Sequence, residues 1–162
     1  MLILYQTNIL VDSDKRARIG GLGAACVQSS TPAAEVDRFF HGAAPEVADP
    51  QRWGVTGTGL STASDVYAFG VLSWQVSTFL DPILRATKRN EPHGQVFAGQ
   101  VPFFDEGIVA GVHAMTIGRR PARPTHPQLS DRIWKLIEGS WRVDAAQRMT
   151  MAEAIAILEA RE

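Results

Sequence analysis

Side chains that could do chemistry are few in this sequence, and most of them stand alone. His41, His93, His113 and His126 fall on four different segments with no metal-ligand spacing, so each reads as a surface or hydrogen-bonded histidine. Cys26 is the single cysteine, which leaves neither an internal disulfide nor a multi-cysteine metal site and fits a reducing compartment. Asn8 precedes three apolar residues, as at the entrance of a strand. Gly21-Leu22-Gly23 has the composition of a turn, and Ser29, Ser30 and Thr31 place hydroxyls in a polar stretch. The remaining charged candidates sit in three ordered strings: Ala44-Pro45-Glu46, then Ser64-Asp65-Val66-Tyr67-Ala68-Phe69-Gly70, then Trp141 followed by Asp144 and Arg148.

The elements that must position these groups follow from pattern. Asn8-Ile9-Leu10-Val11 and Arg16-Ala17-Arg18-Ile19 are β-prone runs around Asp12-Ser13-Asp14-Lys15, a turn composition, and predict a hairpin. From Gly20 to Gly42 no helical or strand period appears, so a long loop is expected. Thr62 or Ser64 can cap a helix running through Val76, whose apolar residues cover nearly every face and ask for a central position. A second helix is predicted over Asp105 to Thr116, with Asp105 near its cap and Ile108, Val109, Val112 and Met115 at helical spacing; the Pro-rich segment Pro121 to Pro127 ends it. Ser130 or Asp131 starts a third, with Ile133, Trp134, Leu136 and Ile137 on one face. Thr150 with Glu153 forms a capping box for the last, which carries Ile155, Ile157 and Leu158. Trp74, Trp134 and Trp141 read as core. The fold class is mainly α, a small hairpin followed by about four helices.

Composition narrows the function classes. With 162 residues, 45% of them hydrophobic, and a formal charge of −1, the chain can bury one core and offers no basic face for nucleic acid. Its longest apolar stretch, Val66 to Val76, is about half the roughly 20 residues a bilayer span needs, and no signal segment opens the chain. Neither a membrane nor a nucleic-acid partner is expected, and an intracellular, cytoplasmic location is.

The three strings together resemble the C-terminal lobe of a protein kinase, specifically of tyrosine-kinase-like kinases including many fungal ones. The resemblance spans residues 1–162 as a partial kinase domain, with residues 21–46 as the activation segment. It implies that Glu46 pairs with Arg148 in the lower lobe, that Asp65 anchors the catalytic loop through backbone N–H groups, and that Asn8 is a magnesium ligand. It places ATP and magnesium in the family's reaction, phosphorylation of protein Ser/Thr or Tyr. Ser29, Ser30 and Thr31 lie where such kinases carry activating phosphosites.

The same resemblance exposes departures. Counting back from Asn8, the position of the catalytic Asp holds Ile3, with Leu2 and Tyr5 where the neighbouring Arg and Lys would stand; only Leu4 fits. Isoleucine has no lone pair to accept a hydroxyl proton. The Asp-Phe-Gly position reads Gly21-Leu22-Gly23, in which Leu22 can imitate the apolar plug but Gly21 supplies no carboxylate for the metal. The phosphate loop, strand Lys and helix Glu of the N-terminal lobe have no counterpart in the sequence, so roughly half of a kinase domain is expected to be missing, and the central helix to lack some of its cover.

One stretch is foreign to the family. Related kinases run from the central helix almost directly into a Phe-Ala-Gly-x-x-Pro-Phe turn, here Phe97 to Phe103. This chain inserts about 20 residues, 76–95, polar in their second half and without periodicity, as expected of a disordered excursion. Val-Ser can be encoded by GTAAGT and Gln by CAG, the usual ends of an intron, so a retained in-frame intron is one reading and a lineage-specific surface loop the other. The sequence therefore implies a partial kinase domain that binds no cofactor of its own and is catalytically inactive as it stands. The alternative is a pseudokinase-like interaction module that meets an unidentified protein through the long loop and the helix over Asp105 to Thr116.

Overall fold

The structure is a computed structural model that describes residues 8–20, 42–79, 102–125 and 129–160. It is mainly helical. A two-stranded antiparallel sheet comes first, β1 (Ile9–Val11) paired with β2 (Ala17–Ile19) in the register Ile9 to Ile19, Leu10 to Arg18 and Val11 to Ala17. Five helices follow among the described residues: α1 (Pro45–Ala48), α2 (Thr62–Phe79), α3 (Ile108–Thr116), α4 (Asp131–Ser140) and α5 (Met151–Glu159). Short 3-10 turns cover Phe104–Glu106 and Ala145–Gln147.

The hairpin turn closes as its acidic residues dictate. Asp12 accepts the Arg16 N–H at 2.8 Å and the Arg18 Nε–H at 2.7 Å, and Lys15 takes the left-handed conformation with φ 60°. These two hydrogen bonds hold the half-buried Asp12 carboxyl below its ordinary range.

Helix α2 is the centre of the molecule. Val66, Tyr67, Ala68, Val71 and Trp74 are all buried on it, and it packs chiefly against α4. The two helices meet closely at Gly70, where a Cβ would lie 2.7 Å from the Ser140 Cβ and 3.2 Å from the Trp141 nitrogen, so only glycine allows the approach. Leu136 and Ile137 supply the α4 side of the core, and Trp134 meets Trp141 edge to face at 5.9 Å between ring centroids. Helix α5 packs on α4 through the fully buried Ala154.

Helix boundaries differ from expectation in physically simple ways. The cap of α2 is Ser61 rather than Thr62 or Ser64: its hydroxyl oxygen accepts the Ser64 N–H at 3.1 Å while the Ser64 hydroxyl oxygen accepts the Ser61 N–H at 2.9 Å, a reciprocal arrangement of capping-box type. The same helix continues past Val76 to Phe79, with Ser77 and Thr78 buried and back-bonded to Ser73 and Gln75 carbonyls. The first four residues of the expected disordered insert are thus helical, and the rest of it lies outside the described residues. Helix α3 begins at Ile108, not near Asp105, because Gly107 stands before it at φ 84°, and Asp105 belongs to the 3-10 turn. Val112 and Met115 are core on α3, whereas Val109 is 66% exposed. On α5 the apolar Ile155 and Leu158 are about half exposed, at 47% and 48%.

Candidate functional site

Helix α1 is one turn long, begins with Pro45 at a position where a missing N–H costs nothing, and turns Glu46 inward. Its donor partner comes from far along the sequence. Arg148 donates from Nη1 to Glu46 Oε1 at 2.6 Å and from Nη2 to Glu46 Oε2 at 2.7 Å, a fork of two parallel hydrogen bonds. The remaining donors are also used: Nε–H to the Arg142 carbonyl at 2.8 Å, Nη1 to the Ala63 carbonyl and Nη2 to the Val143 carbonyl, each at 3.0 Å. All five guanidinium N–H groups therefore have acceptors. The Arg148 side chain is fully buried and that of Glu46 is 8% exposed.

The clamp joins four segments at once. Helix α1, the first turn of α2 at Ala63, the Arg142–Val143 bend and the residue after the second 3-10 turn all contribute. Desolvating two charges is expensive, and only the complete set of acceptors makes such burial tolerable. Gly59 completes the fit from outside: at φ 72° its Cα approaches so closely that a Cβ would lie 2.0 Å from the Glu46 carbonyl oxygen.

Aromatic and cationic side chains extend the clamp. Arg148 lies over the Tyr67 ring at 5.0 Å from its centroid, and Arg120 lies 5.7 Å from the same ring and 5.8 Å from that of Trp141. Arg120 donates Nη1 hydrogens to the Met115 and Arg119 carbonyls at 2.7 Å each, and Nε and Nη2 hydrogens to the Trp141 carbonyl. Burial pushes its guanidinium below the ordinary arginine value. Tyr67 is completely buried, its hydroxyl meets no hydrogen-bond partner among the described residues, and burial pushes its pKa up to about 12. Two further stacks, Arg119 over Phe103 at 4.4 Å and Arg123 over Trp134 at 5.9 Å, line the same segment after α3. None of this stacking was visible in the sequence. Arg119-Arg120-Pro121-Ala122-Arg123 reads there as a charged, Pro-rich linker, and its ring partners are distant in the chain.

Of the other sequence-derived candidates, Asn8, Asp65 and His113 lie among the described residues. Asn8 stands just before β1 and its backbone carbonyl accepts the Gly20 N–H at 2.6 Å. Asp65 sits half-buried in the first turn of α2. His113 is exposed in the last turn of α3. Ile3, Gly21, Leu22, Gly23, Cys26, Ser29, Ser30, Thr31, His41, His93 and His126 lie outside the described residues. Among the described residues no group of three or more His, Cys, Asp or Glu side chains converges on a common point. Of the residues expected to meet ATP and magnesium, Asn8 alone lies among the described ones. No helix among them is long and apolar enough to cross a membrane.

Comparison with known proteins gives a consistent assignment. A family model described as protein tyrosine and serine/threonine kinase matches residues 4–158. Curated proteins from Bos taurus and Canis lupus familiaris, each a dual serine/threonine and tyrosine protein kinase, are 29% identical to the chain over 142 residues. The match covers 87% of this chain and 12% of each relative, so the chain spans only a small part of the length of these proteins.

Proposed function

The chain belongs to the protein tyrosine and serine/threonine kinase family, and from that premise we propose that it forms the lower, substrate-side lobe of such a domain and transfers no phosphate as it stands. The observation that carries the reading is the Glu46–Arg148 clamp, buried, bidentate and complete in its acceptors. Every residue in it shapes the fold, and none presents a group to a reacting atom. The positions aligned with catalysis point the same way in the sequence: Ile3 offers no base and Gly21 no metal-binding carboxylate. ATP and magnesium belong to the family's reaction.

The test is direct. The purified chain, incubated with radiolabelled ATP, magnesium and a mixed protein substrate, should transfer no label. Transfer that disappears with Asn8→Ala would overturn the proposal.

A second reading is favoured by one specific observation: Val109 on α3 is 66% exposed and Ile117 just beyond that helix is 49% exposed. On this reading the chain is a pseudokinase-like module whose α3 face meets a protein. Loss of partner capture on Val109→Lys, with unchanged thermal stability, would separate it from the first.

A further inference from the structure

The loop between α1 and α2 folds back against the second 3-10 turn and leaves a cavity of about 340 Å³. That volume lies within the range of small-ligand sites. Trp53, Val55 and Leu60 line it from the loop, Val143 and Asp144 from the turn, and Glu46 from the clamp. Its wall is fixed rather than draped. Val55 donates its N–H to the Pro50 carbonyl at 2.9 Å, and Gly59 is pressed against the Glu46 backbone.

The charge in this cavity is one-sided. Two of its lining residues are acidic and none is Lys, Arg or His. Glu46 has both carboxylate oxygens committed to Arg148. Asp144 commits one, Oδ1, to the Ala146 N–H at 2.9 Å, and its side chain is otherwise turned to solvent. The cavity thus presents one available carboxylate oxygen together with the indole of Trp53, which is 36% exposed, over an apolar lining of Val55, Leu60 and Val143.

We propose that this cavity binds a peptide through one arginine or lysine side chain with an apolar neighbour. A guanidinium is attracted both by a carboxylate and by the face of an indole. Its methylene stem suits the valine and leucine lining, since long cationic side chains bury their stems and keep their heads polar. Arginine fits better than lysine because its planar head can stack on the ring while donating in its own plane. The sign of the charge disfavours phosphate, nucleotide and acidic peptide. The proposal does not depend on whether the chain transfers phosphate.

The probe is N-acetyl-Leu-Arg-Leu-amide added to the full chain, followed through the indole N–H resonance of Trp53. Its controls are the same peptide with citrulline or glutamate in the central position. Saturable shifts centred on Trp53 and Val143 are expected for the arginine peptide, about fivefold weaker or more for citrulline, and absent for glutamate. Asp144→Asn keeps an oxygen to accept the Ala146 N–H, so it should leave the melting temperature unchanged while weakening the arginine peptide to the citrulline level. Trp53→Leu should weaken both peptides. Equal binding of the arginine and citrulline peptides, indifference to Asp144→Asn, shifts centred away from Trp53, or no saturable binding would each overturn the proposal.

Discussion

Arg148 distributes five N–H groups over two carboxylate oxygens and three carbonyls, and an ammonium has only three hydrogens to give. Lysine at 148 would keep the charge and still orphan buried acceptors, so Arg148→Lys should destabilise the fold nearly as much as Arg148→Ala. For Arg148→Ala, which leaves the Glu46 carboxylate buried and unpaired, the loss expected by urea denaturation is roughly 3 to 5 kcal/mol. Tyr67 behaves differently because its hydroxyl gains nothing from burial. Tyr67→Phe removes an unpartnered polar atom and should hold or raise stability, by about 1 kcal/mol at most. The tyrosine also makes the fold sensitive to alkali. Its folded-state pKa of about 12 lies above the ordinary 10.0, so its contribution is complete below pH 10 and is lost as pH rises from there through about 12. Alkaline denaturation of the wild type should show this limb, and that of Tyr67→Phe should not.

At the scale of elements, helix ends carry the sharpest predictions. In the α5 capping box Thr150 accepts the Glu153 N–H at 3.2 Å, while Glu153 accepts the Thr150 backbone N–H at 2.6 Å and its hydroxyl at 2.9 Å. Those bonds hold the exposed Glu153 carboxyl below its ordinary range. Its contribution is therefore present above the unfolded glutamate pKa and fades as pH falls through the lowered value. Thr150→Ala should cost about 0.5 to 2 kcal/mol and move the Glu153 titration, followed by carboxyl carbon resonances, back toward the ordinary value. Where α2 crosses α4, Gly70→Ala should cost roughly 1 to 3 kcal/mol because the added methyl meets Ser140 and the Trp141 backbone. Local chemistry made much of this legible in advance: the hairpin turn from its Asp-Ser-Asp-Lys, the Ser130 and Thr150 caps from their hydroxyls, and α2 from its continuous apolar composition. What escaped was nonlocal or very short. Helix α1 is a single turn with no period to detect, Gly107 shifted the start of α3 through a backbone angle, and the arginine stacks depend on rings far away in the chain.

For the whole molecule, the expectation is a scaffold that answers weakly to nucleotide. A ligand at a hundred times its Kd stabilises a protein by about 2.7 kcal/mol, so any real Mg-ATP site would appear as an obvious thermal shift; none is expected here. The exposed apolar residues of the hairpin, Leu10 at 57%, Val11 at 53% and Ile19 at 54%, show how little the sheet contributes to the core, which is helical. Stability instead comes from bringing distant parts of the chain together. Glu46 and Arg148 stand 102 positions apart, so their contact closes a loop across most of the polypeptide. That has a consequence for synthesis. Until the ribosome has released residue 148, a nascent chain holds Glu46 without its counterion, and the turn that carries it has no reason to dock. Arg148 thus sets a checkpoint in synthesis: a chain that stops short of it leaves the Glu46 carboxylate without its counterion and the Tyr67 ring without the guanidinium that lies over it.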